Sequence, residues 1–483
     1  MTSIVWMRND LRIDDNKALY HACKYKKNNI IILFIYIYKD QKYFSISHYQ
    51  KNFIKKRLLY LKKKFYTLNI KFLYKKLNSF NESIKYILSI CKKYSIKYFF
   101  YNIQYELNQL NRDLILSKKL IKNNIKVLNF HDNCLISPNI IKNNSGHTYK
   151  TFYFFKKKSL KYLKKNKIVC FSKPKIRIKN NIILNNKKIK FNYKNKFFNE
   201  KRFPFKDKLI KEKIIYFFKK KIVSYFKNKD FLYLNNTSEC SVYLNLGVIS
   251  IRRFFYYILK YRKNNYKSSF ILLEKLLWRD FFKNLIVSYP NLSENFSFKL
   301  FKKKMKYKKN MFYFKSWKKG LTGFPIIDAG MRQLKKTGWM NNRIRMITSS
   351  FLVKNLLIDW RIGERYFMLY LIDSDISINN GNWKWISSIK IDSVSYIRMF
   401  NPYIQSKKFD FNGIFIKKYV KELKNVPIKN IHKPYLWLKK NEPNTKYPKP
   451  IVDYFQTKIK FIKKIKKINK KKYEEYIFRK NNK

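Results

Sequence analysis

Scarcity of cysteine, histidine and acid sets the first bounds on this chain. Its 483 residues include five cysteines, five histidines and 28 acidic residues, against 110 lysines and arginines. The cysteines (Cys23, Cys91, Cys134, Cys170, Cys240) are scattered and form no CxxC. That argues against a disulfide framework and a structural zinc, and fits reduced thiols in the cytoplasm. No histidine pairs with a cysteine or carboxylate at metal-ligand spacing, and GxSxG, HExxH and Walker sequences are missing. Hydrolytic and metal chemistry therefore lose their usual carriers. The longest early apolar run, Ile30 to Tyr38, is far short of the ~20 residues of a membrane span. No apolar leader ends in a small-residue cleavage site. A cytoplasmic protein with no membrane partner is expected.

What the chain has in excess is positive charge, +82 net. Such a balance ordinarily points to nucleic acid. Here Lys, Asn, Ile, Phe and Tyr are over-used together, and all have AT-rich codons, so mutational bias explains much of it. A nucleic-acid partner has to be argued from placed residues. At 46% hydrophobic residues, a large core and two or three domains are within reach.

Residues 1–130 alternate short apolar runs (Ser3–Met7, Ile30–Tyr36, Ile70–Tyr74, Ile96–Tyr101, Ile125–Phe130) with helical patterns such as Ile54, Leu58, Leu61 and Phe65. Alternation of this kind predicts an open parallel sheet with crossover helices, a Rossmann-like α/β domain. No GxGxxG follows the first strand. RNDLRIDDN (Arg8–Asn16) stands there instead, reading as a salt-bridge loop in which Asp14 or Asp15 caps the next helix. Residues 131–205 lose all period and are rich in Asn, Lys and isolated prolines, which predicts a long inter-domain connection with a short helix at Tyr149–Leu163. Residues 206–475 read as a larger all-α domain, with helices at 207–228, 248–262, 268–288, 325–337, 342–358 and 363–372. Asn341 or Asn342 is the expected N-cap of the fifth, whose Ile344, Ile347 and Phe351 share one face.

Four of the eight tryptophans (Trp339, Trp360, Trp383, Trp385) fall between Gly338 and Trp385, in a stretch with few lysines. Aromatics, arginines and two aspartates framing a helical domain suit a large planar cofactor through which charge moves. In order along the chain come WMRNDLRIDDN, NIQYELN (Asn102–Asn108), LWRDFF (Leu277–Phe282), TGFPIIDAGMRQL, TGWMNNRIRM, DWRIGERYF, DSDISINNGNWKW and RMFNP (Arg398–Pro402). Together these resemble the class I cyclobutane pyrimidine dimer DNA photolyases of the bacterial folate-antenna type, over nearly the whole chain. The resemblance implies an antenna-binding α/β domain and a helical domain binding FAD and DNA. It also implies light-driven electron transfer from reduced FAD to a pyrimidine dimer in UV-damaged DNA. The expected protein is a monomer. A cryptochrome-like photoreceptor on the same fold is the alternative, and Asn379, Trp278 and Trp385 favour repair.

Residue by residue, the resemblance implies FAD contacts at Tyr225, Thr237, Ser238, Glu239, Cys240, Ser241, Arg345, Asp373, Ser374 and Asp375. Hydroxyls and backbone N–H groups at a helix start suit a pyrophosphate. Glu239 departs from the pattern, because the family usually has Arg there. Arg345 and Asp373 match a pair beside the flavin ring, and Asn379 faces flavin N5. Trp383 and Trp360 match electron relays whose outer member falls at Tyr307, a tyrosine in place of tryptophan. Implied DNA contacts are Lys229, Lys275, Trp278, Arg279, Phe282, Asn342, Arg343, Trp385, Arg398 and Gln405. Lys275 stands where the family has a carboxylate, and Glu274, one residue and ~100° of helix away, does not replace it. The implied antenna is 5,10-methenyltetrahydrofolate at Asn108 and Gln109, with Gln109 in place of the family's Glu. Ser293 and Glu294 replace a Cys-Lys pair that helps bind the polyglutamate side.

Overall fold

The computed structural model describes residues 2–24, 29–37, 46–177, 182, 189, 198–290, 307, 310–387 and 399–466. The chain forms two compact units, each assembled from separate segments. The first comprises Met1–Phe226, Ser238–Glu294 and Ile372–Ile378; the second comprises Lys227–Thr237, Asn295–Leu371 and Asn379–Lys483.

Five strands, β1 (Thr2–Met7), β2 (Asn29–Ile37), β3 (Lys71–Leu77), β4 (Ile96–Asn102) and β5 (Lys126–Phe130), make a sheet in the first unit. Its order is β3-β2-β1-β4-β5, and every pair is parallel. The helices α1 (Lys17–Cys23), α2 (His48–Tyr66), α3 (Phe80–Lys93) and α4 (Leu107–Lys122) alternate with the strands. Strands covered on both faces read as continuous apolar runs, and β1 is buried from Ser3 to Met7. The apolar runs of the sequence therefore mark all five strands.

RNDLRIDDN lies at the carboxyl end of β1, where the strand order reverses and such sheets commonly bind ligands. Here the loop is a structural joint. Arg8 pairs with Asp113 of α4 at 2.6 Å, and Arg12 pairs with Asp132. Arg252 reaches Asp15 at 3.0 Å and Asp132 at 2.7 Å. Neither Asp14 nor Asp15 caps α1; Asn16 does, its side chain accepting from the Leu19 N–H at 3.2 Å. Asp15 instead takes a left-handed backbone (φ 52°) and aims its carboxylate at Arg252.

The same unit carries α5 (Phe152–Lys165), α6 (Asp207–Tyr216), a π-helical turn at Phe217–Lys221 and α7 (Ile222–Asn228), which continues into the second unit. Beyond these lie α8 (Ser241–Asn245), α9 (Ile251–Lys260) and α10 (Tyr266–Ser288). In the second unit, Pro325–Thr337 and Asn342–Ser350 pack through Ile327, Met331, Ile344 and Ile347. Asn341 is the N-cap of the latter. The helix expected over 342–358 ends at Ser350, in a π-helical turn at Phe351–Asn355. Helices at Met311–Lys319, Ile376–Ile386, Pro402–Phe409, Ile414–Tyr419 and Tyr435–Asn441 escaped the sequence reading. Among the described residues no helix is long and apolar enough to cross a membrane, and none of their His, Cys, Asp and Glu groups could hold a metal ion.

Candidate functional site

The first unit holds the run Ser238-Glu239-Cys240 leading into α8. Glu239 has φ 52°, a left-handed turn that a non-glycine residue adopts only when held there. The hold is visible. Its buried carboxylate accepts from Arg202 at 2.6 and 2.9 Å and from Lys213 at 2.7 Å. The acid is thus neutralised by two cations, and the turn is left with the hydroxyls of Ser238 and Ser241 and its backbone N–H groups. Tyr225 is buried, with the Lys275 ammonium 5.4 Å above its ring.

Two neighbouring positions in this unit are held firmly. Ser374 donates its hydroxyl to Gln50 at 3.0 Å and accepts the Gln50 amide at 3.2 Å on its own carbonyl. Asp375 is buried against Lys283 at 3.1 Å and accepts the Ile378 N–H at 3.1 Å. Burial opposes its ionisation, but the Lys283 and Arg279 charges hold it below the ordinary carboxylate range. Asp373 is half-buried. Arg279 is itself buried and bonds to Asn133 and to the Leu244 carbonyl, so its guanidinium braces the protein interior. Trp278 is half-buried on Phe152, Phe281 and Phe282; Lys275 is exposed, and Glu274 is occupied by Lys156 at 2.7 Å. On the first turn of α4, the Gln109 carbonyl oxygen is buried and accepts no hydrogen bond among the described residues; Asn108 precedes it.

The second unit gathers several of the basic residues. Asp230 sits between Lys229 at 2.9 Å and Arg343 at 3.1 Å. Asn341 bonds the Lys229 carbonyl and the Arg343 N–H, both at 2.9 Å, and Asn342 beside it is exposed. The Arg343 guanidinium lies 4.5 Å above Phe409, on the helix Pro402–Phe409 that also bears Gln405. Arg345 donates to the Met340 carbonyl at 3.0 Å. Thr237 also belongs to this unit.

Around Trp383 the packing is tight. It meets Phe367 edge-on at 5.0 Å and Trp317 at 6.5 Å. Gly363 makes this possible, because a Cβ there would stand 2.2 Å from the Trp383 ring. The next residue, Glu364, accepts the Asn379 amide at 3.1 Å on its carbonyl and the Asn380 amide at 2.9 Å on its carboxylate, fixing the plane of Asn379. Trp360 is buried and Trp385 half-buried. Tyr307 packs against the core cluster containing Trp360 and Trp383. Burial, and then the charge of Asp359, raise its phenol well above the usual tyrosine value. Arg398, Ser293 and Glu294 lie outside the described residues.

Comparison with known proteins shows the family. The model of the DNA photolyase family matches residues 3–174, and that of the FAD binding domain of DNA photolyase matches residues 272–467. A deoxyribodipyrimidine photo-lyase of Buchnera aphidicola subsp. Baizongia pistaciae is 42% identical over 475 residues, covering 95% of this chain and 96% of that one. The chain belongs to the DNA photolyase family. The Escherichia coli deoxyribodipyrimidine photo-lyase is 34% identical over 95% of this chain and 97% of its own length. Among solved structures, a class III photolyase of Agrobacterium tumefaciens superposes with a TM-score of 0.87 at 26% identity, covering 97% of this chain and 98% of that one. A Synechocystis cryptochrome gives 0.83, also at 26% identity, covering 96% and 98%.

FAD is the cofactor of this photolyase family member. The donor set fits it. In the first unit, the hydroxyls of Ser238 and Ser241 beside an acid neutralised by Arg202 and Lys213 are donors of the kind a pyrophosphate uses; in the second unit, by itself, the Asn379 amide is held in one plane. The Gln109 side-chain oxygen, without a partner among the described residues, is an acceptor of the kind a pterin amine would use, which fits a folate. The sequence names the motif residues but not the residues that hold them: Arg202, Lys213, Gln50, Lys283, Gly363 and Glu364. Only the last two sit inside a recognised motif.

Proposed function

We propose that this chain is a deoxyribodipyrimidine photo-lyase, a lyase that repairs cyclobutane pyrimidine dimers in DNA under blue light. The observation that carries this reading is the near-full-length match to relatives of that name. When bound, FAD supplies the light-driven donation of one electron to the dimer and its recovery once the dimer has split.

The chain's own residues have binding and orienting tasks. Tyr225, Thr237, Ser238, Cys240 and Ser241 hold the phosphates and ribose, with Glu239 contributing backbone only. Arg345, Asp373, Ser374 and Asp375 would hold the polar edge of the flavin, and Asn379 would offer it a neutral amide without adding a full charge. Trp383, Trp360 and Tyr307 are the relays that recharge the flavin. Trp278 and Phe282 offer an aromatic wall to a dimer extruded from the stack, and Trp385 has the same role. Lys229, Asn342, Arg343 and Gln405 position phosphates without reading bases; Arg398 is assigned there by its motif. Lys275 adds a surface cation, and Arg279 supports the DNA face from within. Asn108 and Gln109 take the folate antenna. The enzyme acts as a cytoplasmic monomer.

One assay tests the reading. The purified protein is examined for bound flavin and incubated in blue light with an oligonucleotide containing a thymine dimer. Light-dependent reversal is expected. Flavin without reversal would favour the photoreceptor reading that the cryptochrome likeness permits. Absence of both would remove flavin chemistry altogether.

A further inference from the structure

Among the described residues, α5 is the one helix within the long connection of residues 131–205, and it makes a specific contact with α10. Phe152 lies flat on Trp278, with ring centroids 3.6 Å apart and planes 15° from parallel. Aromatic pairs left to themselves prefer offset or edge-on arrangements with centroids 4.5–7 Å apart. So close and parallel a stack is imposed by the helices that carry the two rings. One turn further along each helix, Lys156 pairs with Glu274 at 2.7 Å. Phe152 and Lys156 are four residues apart on α5, as are Glu274 and Trp278 on α10, so each pair shares a helix face. The two contacts are rungs of one ladder. Phe281 closes it from below, edge-on to Phe152 and Trp278 at 5.7 Å each.

The burial of the rings gives the ladder a direction. Phe152 is 5% exposed, whereas Trp278 is half-buried. The surface that Trp278 keeps therefore lies away from Phe152, and Phe152 forms its backing. An indole on a long helix can rock about its side-chain torsions; one clamped on its rear face presents the other face at a fixed angle.

We infer that Phe152, braced by the Lys156–Glu274 pair, is a positioning residue that holds Trp278 at the angle required to stack on an extruded pyrimidine dimer. The inference rests on the assignment of Trp278 as a dimer-contacting residue. It gives the connection a part in damage recognition, and it gives Glu274 a role other than that of the carboxylate missing at Lys275.

The test is dark binding of the FAD-loaded full chain to a duplex carrying one thymine dimer and to its undamaged counterpart. Phe152→Leu keeps apolar bulk without a flat ring. It is expected to weaken dimer binding about three- to tenfold and to leave undamaged binding unchanged. Phe152→Tyr restores the ring and should bind within about twofold of the parent. Glu274→Gln should give a smaller loss of the same kind. Adding Phe152→Leu to Trp278→Ala should cause no further loss, because the action of Phe152 runs through Trp278. Equal weakening on both duplexes, or full dimer affinity in Phe152→Leu while Trp278→Ala binds poorly, would overturn the inference. Unchanged binding in Trp278→Ala would remove the assignment of Trp278, and the inference with it.

Discussion

At the scale of the residue, two departures from the family pattern have different consequences. Glu239 brings its own compensation: one buried carboxylate and two part-buried cations, in a turn with φ 52°. Removing the charge leaves Arg202 and Lys213 crowded together and frees the strained turn. Glu239→Gln is expected to weaken FAD retention about tenfold, the loss of one charge-assisted bond, measured by flavin release on dilution. Glu239→Arg should be worse alone and partly rescued by Arg202→Glu; no rescue would show that the partners do not set the turn. Tyr307 carries no such compensation. Oxidising a phenol requires loss of its proton, and burial and the Asp359 charge hold that proton tightly. Tyr307→Trp is expected to speed flavin photoreduction and lengthen the life of the terminal radical in transient absorption, with little effect on repair by enzyme already reduced. An unchanged radical lifetime would take Tyr307 off the path.

At the scale of the element, the loop after β1 shows what a motif conceals. Asp132 is buried between Arg12 and Arg252. Burial opposes its ionisation, but the two guanidinium groups hold it below the ordinary carboxylate range. A depressed pKa contributes stability that is present above the unfolded value, ~3.9, and lost as pH falls through the folded value. The first unit should therefore lose stability in the acid range, and Asp132→Asn should flatten that dependence. Losing one partner of a buried ion pair costs roughly 3–5 kcal/mol, which denaturant titration at neutral pH would read. A variant as stable as the parent would show that the loop holds without this pair. The paired charges of RNDLRIDDN were legible in the sequence, but not their partners, since Asp113, Asp132 and Arg252 lie far along the chain. For the same reason the strands were legible as local apolar runs, whereas the change from α- to π-helical bonding after Ser350 was not. Ile344, Ile347 and Phe351 keep one helical period through it, and the π-turn appears only in the backbone. The candidate site follows this rule: its motifs could be read, but Arg202 and Lys213 sit in lysine-rich sequence that hides them. Phe152 is likewise one aromatic among many.

At the scale of the whole molecule, the question is what a charge of +82 does. Its distribution argues against one large DNA footprint. Lysines recur in the last turn of helix after helix: Lys63 and Lys64 in α2, Lys92 and Lys93 in α3, Lys119 and Lys122 in α4, Lys164 and Lys165 in α5. There a cation is favoured by the helix macrodipole wherever the helix points. The scarce acids occupy buried joints such as Asp15, Asp113, Asp132, Glu239 and Asp375, so the surplus is left spread over the outside. Among the described residues at implied DNA contacts, those that the fold collects, Lys229 and Arg343 around Asp230, are few. DNA affinity should then fall with salt as a small number of phosphate contacts requires. With about five, the slope of log K against log salt is about −4.5 on duplex DNA. The ratio of dimer to undamaged affinity should change little with salt, because it comes from aromatic stacking. A slope of about −10 or steeper would mean that the dispersed lysines bind DNA after all, and that the bias in composition has enlarged the binding face.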